Sequence, residues 1–280
     1  MEILVAKSAG FCYGVKRAIK IAEETLKTDG ECYTLGPIIH NPKVVEELRK
    51  KGLNVIEDVK KMKKGTLIIR SHGISKCEAD YLAEKGDKIR VVDTTCPFVT
   101  KARKLLEILK KERYEIFFLG DKAHPEVKGL LSYIDNDANV FLSTEEIPVK
   151  DYKKVGLISQ TTQKIELLKK SADRLLGMSL ELRVFNTICK TTSVRQKEAL
   201  EMAKKVDMMI VLGGKNSSNT RKLAEICKGV LEKTYHIESP EDIDKRWFEG
   251  VKRVGITAGA STPKEHINEL IENIEKIKKG

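Results

Sequence analysis

Three times in 280 residues an apolar, β-branched run ends in a cysteine and gives way within a few residues to an amphipathic helical pattern. The cysteines are Cys12 in EILVAKSAGFCYGVKRAIK, Cys96 in IRVVDTTCPFVTKARKLL and Cys189 in LRVFNTICKTTSVRQKEAL. Separations of 84 and 93 residues are too long for a local metal motif. The thiols can serve one centre only if similar modules pack about a common axis. Packed that way, three thiolates can hold a [4Fe–4S] cube by three of its irons and leave the fourth open.

The rest of the chain supports such a repeat. Short strand candidates alternate with amphipathic helices from end to end, the pattern of a parallel-sheet α/β architecture. After Cys12 a helix (Val15, Ala18, Ile19, Ala22, Leu26) precedes strands around YTLG, NVIE, TLIIR and IRVV. After Cys96 a helix (Val99, Ala102, Leu106, Leu109) precedes EIFFLG, NVFLS, VGLIS and LRVF. After Cys189 a helix is predicted to about Val206, and only three strands follow it: MMIVLG, TYHIE and RVGIT. The N-terminal ILVA supplies the missing fourth. The predicted fold is therefore α/β, with three four-stranded, mostly parallel modules at residues 13–96, 97–189 and 190–280, the last completed by 1–12. Segments after strands one, three and four carry the chemistry, whereas those after strand two (IEDVKK, LSTEEI, IESPED) are only acidic. Ligands of parallel sheets bind beyond the carboxyl ends of the strands, near a switch point, so strand two is expected at an edge of each sheet.

At 41% hydrophobic and 33% charged residues the chain is globular and long enough to bury a core. It has no apolar run of membrane-spanning length, and MEILVAKSAG lacks the layout of a signal peptide. A cytoplasmic protein with reduced thiols is expected, with no membrane partner. Cys32 in a strand-like run, Cys77 on a helix-like stretch and Cys227 are read as structural. Cys227 shares an apolar helical stripe with Leu223, Ile226, Val230 and Leu231. The formal net charge of +11 is spread over many helices, and one Trp with 5% aromatics leaves little for base stacking. That balance argues against nucleic acid and for an anionic small molecule or an acidic protein partner.

Three of the five histidines follow strand ends: His40 in GPIIHNP, His72 in RSHG and His124 in GDKAHPEV. His236 and His266 receive no role. GGKNSSNT, with Ser217, Ser218 and Asn219, reads as a Gly turn with an N-cap for a helix starting near Thr220. It reads equally as an anion cradle of hydroxyls, an amide and helix N-terminal N–H groups. TAGASTP repeats the logic, with Ser261 just ahead of Pro263. Glu126 stands at a helix start, where the dipole favours a carboxylate in any case. It is also the natural proton donor, with Thr161 of SQTT placed to orient the proton.

GFCYGVKRAI, TLGPIIHNP, RSHGIS, DTTCPFVTK, GDKAHPEVKG, SQTT, NTICKTTSVRQ, GGKNSSNT and ITAGASTP, in that order and over nearly the whole chain, resemble the signatures of the 4-hydroxy-3-methylbut-2-enyl diphosphate reductase (IspH/LytB) family. The resemblance implies a pseudo-threefold trefoil of α/β modules around one [4Fe–4S] cluster per chain. Cys12, Cys96 and Cys189 would hold it, with one iron open to substrate. It implies that His40, His72, His124, Ser217, Ser218, Asn219 and Ser261 surround the diphosphate of a small allylic substrate. Glu126 would be the proton donor, assisted by Thr161, and a ferredoxin- or flavodoxin-type carrier would bring the electrons. Two departures from the family pattern stand out: Arg70-Ser71 ahead of His72, where smaller residues are expected, and Asp121, where His or Lys is common. Two other readings predict different behaviour. A hydro-lyase with the same three-cysteine cluster would turn over without reductant. A basic nucleic-acid binder would hold RNA in a salt-sensitive way and carry no iron.

Overall fold

The computed structural model describes residues 1–29 and 31–279. The chain opens with β1 (Glu2–Val5) and α1 (Tyr13–Asp29). Then come β2 (Cys32–Leu35), α2 (Pro42–Lys50), β3 (Leu53–Ile56), β4 (Gly65–Ile69), α3 (Lys76–Lys85) and β5 (Ile89–Asp93). The second run is α4 (Pro97–Lys111), β6 (Glu115–Leu119), α5 (Pro125–Leu131), β7 (Asn139–Phe141), β8 (Tyr152–Ser159), α6 (Ile165–Leu176) and β9 (Ser179–Phe185). The third is α7 (Lys190–Ala203), β10 (Met208–Leu212), α8 (Ser218–Lys228), β11 (Thr234–Ile237), β12 (Arg253–Ala258) and α9 (Lys264–Lys279).

These strands form three four-stranded sheets, ordered β3-β2-β4-β5, β7-β6-β8-β9 and β11-β10-β12-β1. All of their pairings are parallel. The order is the same each time, and strand two (β3, β7, β11) lies at an edge as the acidic loops suggested. The N-terminal strand does complete the last sheet, with Glu2 opposite Arg253 and Val5 opposite Ile256.

The described chain divides into two compact units. One comprises Met1–Lys16, Ile39–Val44 and Lys190–Gly280 and holds the sheet of β10, β11, β12 and β1; the other comprises Arg17–Ile38 and Val45–Cys189 and holds the remaining two. In the first unit β10 is buried along its whole length. Met208, Ile210 and Leu212 pack into a core with Ile267, Leu270 and Ile274 of α9, while Met209 and Val211 face Ala199, Leu223 and Cys227. Alternation between two apolar layers is what a parallel strand covered on both faces requires. In the second unit β6 does the same. Ile116 and Phe118 pack with the predicted α4 stripe of Val99, Ala102, Leu106 and Leu109, and Phe117 and Leu119 with Leu168 and Leu175 of α6.

Two local expectations are corrected. α7 stops at Ala203, not near Val206, because Lys204 and Lys205 form a turn that delivers Val206 to the core from outside the helix. α8 ends at Lys228, so Val230 lies beyond the stripe and is exposed, leaving Leu223 and Cys227 as its buried members.

Gly156 in β8 shows how tightly the second unit is packed. A Cβ there would stand 2.6 Å from Leu109 Cδ2, on a side chain with no exposure of its own. Replacing Gly156 with Ala should therefore destabilise the protein by about 1–3 kcal/mol, the usual cost of overpacking a filled core. Denaturant unfolding of the two proteins measures it.

Candidate active site

In each repeat the cysteine amide is tied to one place. Cys96 N–H donates to Ser71 O at 3.0 Å, Cys189 N–H to Thr161 O at 2.9 Å and Cys12 N–H to Ala260 O at 3.0 Å. The acceptor is always the second residue past the end of the third strand (β4, β8 or β12). The junctions of the second unit share further chemistry. Asp93 and Asn186, three residues before their cysteines, accept from the amides of Thr95 and Ile188 at 2.7 and 3.2 Å. These are Asx turns. The buried Thr94 and Thr187 then donate their hydroxyls to Ile69 O and Ser159 O at the ends of β4 and β8.

The loop after β6 and the start of α5 carry His124 and Glu126. His124 caps α5, its Nδ1 accepting from the Glu126 amide at 3.1 Å. In the neutral ring the proton therefore sits on Nε2. Glu126 is 2% exposed. Its two oxygens accept from Thr161, Oε1 from the amide at 2.8 Å and Oε2 from the hydroxyl at 2.7 Å. Since Thr161 O holds the Cys189 amide, an unbroken series of contacts joins the carboxyl to a cysteine loop. His72, from the turn after β4, meets His124 edge to face with ring centres 5.6 Å apart.

In the first unit Cys12 sits at the start of α1, where its Sγ accepts from the Val15 amide at 3.4 Å. Ser217 caps α8 by accepting from the Thr220 amide, and Ser217, Ser218 and Asn219 are all buried. Lys222, one turn on, donates to Ser218 Oγ at 2.8 Å. Ser261 Oγ donates to His40 O at 3.4 Å, and Asn41 Nδ2 donates to Ser261 O at 2.8 Å. The predicted residues thus fall into two groups. Cys12, His40, Ser217, Ser218, Asn219 and Ser261 belong to the first unit, and His72, Cys96, His124, Glu126, Thr161 and Cys189 to the second.

Several positioning residues escaped the sequence reading. Asn41 caps α2 by accepting from the Val44 amide while gripping the Ser261 turn; Asn before Pro at a helix start was the available signal. Arg195, 2% exposed on α7, donates to Ala258 O and to Gly10 O, two residues before Cys12. Arg17 on α1 reaches Thr95 O, next to Cys96, at 3.3 Å. His236, left without a role, bonds Gly213 O at 2.8 Å, and burial holds its imidazole below the usual range. Among the other cysteines, burial pushes the Cys227 thiol up to about 12 and raises that of Cys32. Both stay protonated inside the core. Cys77 is on α3 as expected but is exposed.

Each parallel α/β sheet thus sends its last strand into a cysteine loop, and one of those loops is tied to a buried carboxyl, the make-up of a repeated-module enzyme with a candidate thiolate site. A family model described as "LytB protein" matches residues 3–275, and the chain belongs to that family. It is 48% identical over 280 residues to the 4-hydroxy-3-methylbut-2-enyl diphosphate reductase of Geotalea uraniireducens (strain Rf4), covering 100% of this chain and 99% of that one. Identity is also 48%, over 284 residues, to the reductase of that name from Geobacter sulfurreducens, with 100% of both chains covered. Among solved structures, that of (E)-4-hydroxy-3-methyl-but-2-enyl diphosphate reductase, described as the terminal enzyme of the non-mevalonate pathway, is 43% identical. It has a TM-score of 0.70 and covers 99% of this chain and 100% of that one. The Plasmodium falciparum reductase structure has a TM-score of 0.89 at 28% identity, covering 97% and 87%.

Thr161→Val removes the hydroxyl that donates to buried Glu126 and leaves the amide in place. Loss of a buried donor to a polar partner should lower the unfolding free energy by about 1–3 kcal/mol, while Thr161→Ser should stay within about 1 kcal/mol of wild type. Equilibrium denaturation of the three proteins at neutral pH checks this.

Proposed function

We propose that this chain removes the allylic hydroxyl of 4-hydroxy-3-methylbut-2-enyl diphosphate, the last step of the non-mevalonate route to isoprenoids. The C–O bond breaks and a C–H bond forms as two electrons and two protons enter. Isopentenyl and dimethylallyl diphosphate leave with one water. The observation that carries this reading is the buried Glu126–Thr161 pair, bonded onward to the Cys189 amide, in a member of the LytB family.

Members of this family are iron–sulfur enzymes, and the donor set fits such a group. Three thiols of intermediate exposure stand on three loops held by the same backbone bond. We assign one [4Fe–4S] cluster per chain to Cys12, Cys96 and Cys189, one ligand from each of three modules (13–96, 97–189, and 190–280 with 1–12). When bound, such a group supplies electrons singly and, at the iron no cysteine holds, a Lewis acid for the substrate hydroxyl.

The protein's own side chains divide the remaining work. His40, His72, His124, Ser217, Ser218, Asn219 and Ser261 bind the diphosphate. With Nδ1 committed to its own helix, His124 offers Nε2–H as the donor. Ser218 accepts from Lys222, so its hydroxyl proton is directed away from that lysine. The α8 N-terminus adds N–H groups and the favourable end of its dipole. Glu126 protonates the departing oxygen, and the two bonds from Thr161 fix the plane of its carboxyl, which is the orientation such a transfer needs.

A ferredoxin- or flavodoxin-type carrier delivers the electrons, and a formal net charge of +11 favours an acidic partner. We place the enzyme in the cytoplasm, where thiols stay reduced. Among the described residues no helix is long and apolar enough to cross a membrane.

Anaerobic purification and an assay with dithionite and a viologen test the reading. Wild type should carry about four irons per chain, and Ser at position 12, 96 or 189 should abolish stable iron binding, while Ser at 32, 77 or 227 leaves it intact. Glu126→Gln should keep iron and diphosphate affinity but lose about 10²-fold or more in turnover. Near-normal turnover in that variant would mean that the proton comes from elsewhere.

A further inference from the structure

Arg70, two residues ahead of His72, holds the turn that presents that histidine. Its Nε donates to Gly73 O at 3.4 Å. Its guanidinium also fills the space over the Gly36 turn at the end of β2. A Cβ on Gly36, whose φ is +68°, would stand 2.5 Å from Arg70 Nη1. An arginine is accommodated here because residue 36 has no side chain. Arg70 further shares a cavity of about 260 Å³ with Gly73, Glu78, Ala123, Pro125 and Lys128. Ala123 and Pro125 flank His124, so the guanidinium borders both histidine-bearing loops of this unit, and the two imidazoles meet each other directly.

The charge on Arg70 is poorly compensated. Burial works against it, and Glu78 is the carboxylate that offsets the loss. Glu78, however, is engaged in the capping box of α3, where it accepts from the Ser75 amide at 2.6 Å and the Ser75 hydroxyl at 2.7 Å. Among the described residues no carboxylate is hydrogen-bonded to Arg70. A half-buried cation of this kind projects positive potential over its surroundings with little screening by solvent.

We propose that Arg70 is a positioning residue for the diphosphate: from behind the His72 turn it lends the His72–His124 pair a standing positive potential, without touching the anion. This role rests on the diphosphate reading of those two histidines. Two substitutions separate its parts. Arg70→Lys keeps the charge, while Arg70→Gln keeps a donor for Gly73 O and loses the charge.

Inorganic diphosphate is titrated calorimetrically into anaerobic holoenzyme of wild type and both variants, and turnover of the allylic diphosphate is followed with dithionite and a viologen. Arg70→Gln should bind diphosphate about tenfold more weakly and raise KM by about the same factor. Its kcat should stay within about twofold and its iron content unchanged, the pattern of lost uniform binding. Arg70→Lys should remain near wild type. Unchanged diphosphate affinity in Arg70→Gln, or a loss of kcat and iron with affinity kept, overturns the proposal. Should Arg70→Gln fail to fold, the lysine variant decides: a KM near wild type supports the role of charge, and a tenfold rise overturns it. Wild type that binds no inorganic diphosphate overturns the diphosphate reading itself, and the Arg70 role with it.

Discussion

The bond from each candidate ligand cysteine amide to the loop beyond the third strand is the constraint on which the functional loops of each unit depend. Ser71 O, Thr161 O and Ala260 O accept it in the three repeats. A single such bond contributes only about 1 kcal/mol net, but leaving a buried amide unpaired costs about 1–3 kcal/mol. The cysteine loop therefore cannot lift off without exposing or orphaning its own backbone. Because third and fourth strands are neighbours in every sheet, the bond continues the parallel ladder past its end at Cys96 and Cys189, whereas at Cys12 two extra residues intervene before the same contact is made. It also explains the position of Thr161: the residue that accepts from Cys189 is the one whose amide and hydroxyl grip Glu126.

Parallel topology makes this possible. Parallel neighbours need crossovers, so every loop at the carboxyl end of a strand leads away into another element and none closes as a hairpin. With strand two at one edge and strand four at the other, strands one and three are central and buried, as in β6 with β8 and β10 with β12. Central strands cannot shift register without moving two apolar layers at once. The loops they emit therefore start from fixed points.

Much of this was legible in the sequence, because it is written in apolar period and in repetition. The apolar run into each cysteine, the α4 stripe and the donation of ILVA to the last sheet all follow from counting strands. What was not legible depends on which way a polar helix face turns. Arg195 in SVRQKEAL reads as one more surface cation, and nothing in the helical period shows that its face meets Gly10 O and Ala258 O. The Asp/Asn-Thr-x-Cys pattern shared by DTTC and NTIC was in plain view, yet its meaning lies in hydrogen bonds to β4 and β8. The first cysteine lacks that pattern for a structural reason. Six residues lie between Val5 and Cys12, and the Lys7 and Ser8 amides in that stretch are held by Glu198 of α7 at 2.6 and 2.9 Å in place of an Asx turn.

The donors proposed for the anion and for the acid answer two different demands. A diphosphate calls for positive potential, whereas a proton donor calls for a carboxyl held in a fixed orientation. A chain with 52 lysines and arginines has cations to spare. The residues proposed for the anion are nevertheless imidazoles, hydroxyls and an amide, which are less costly to bury than full charges. Charge enters one step back: Lys222 acts on Ser218 Oγ, and Arg70 stands behind the His72 turn. Thr161 in turn offers Glu126 a backbone amide and a hydroxyl, both neutral. Positive potential is thus carried by cations set behind the proposed anion ligands, while the two Thr161 bonds fix the orientation of the Glu126 carboxyl.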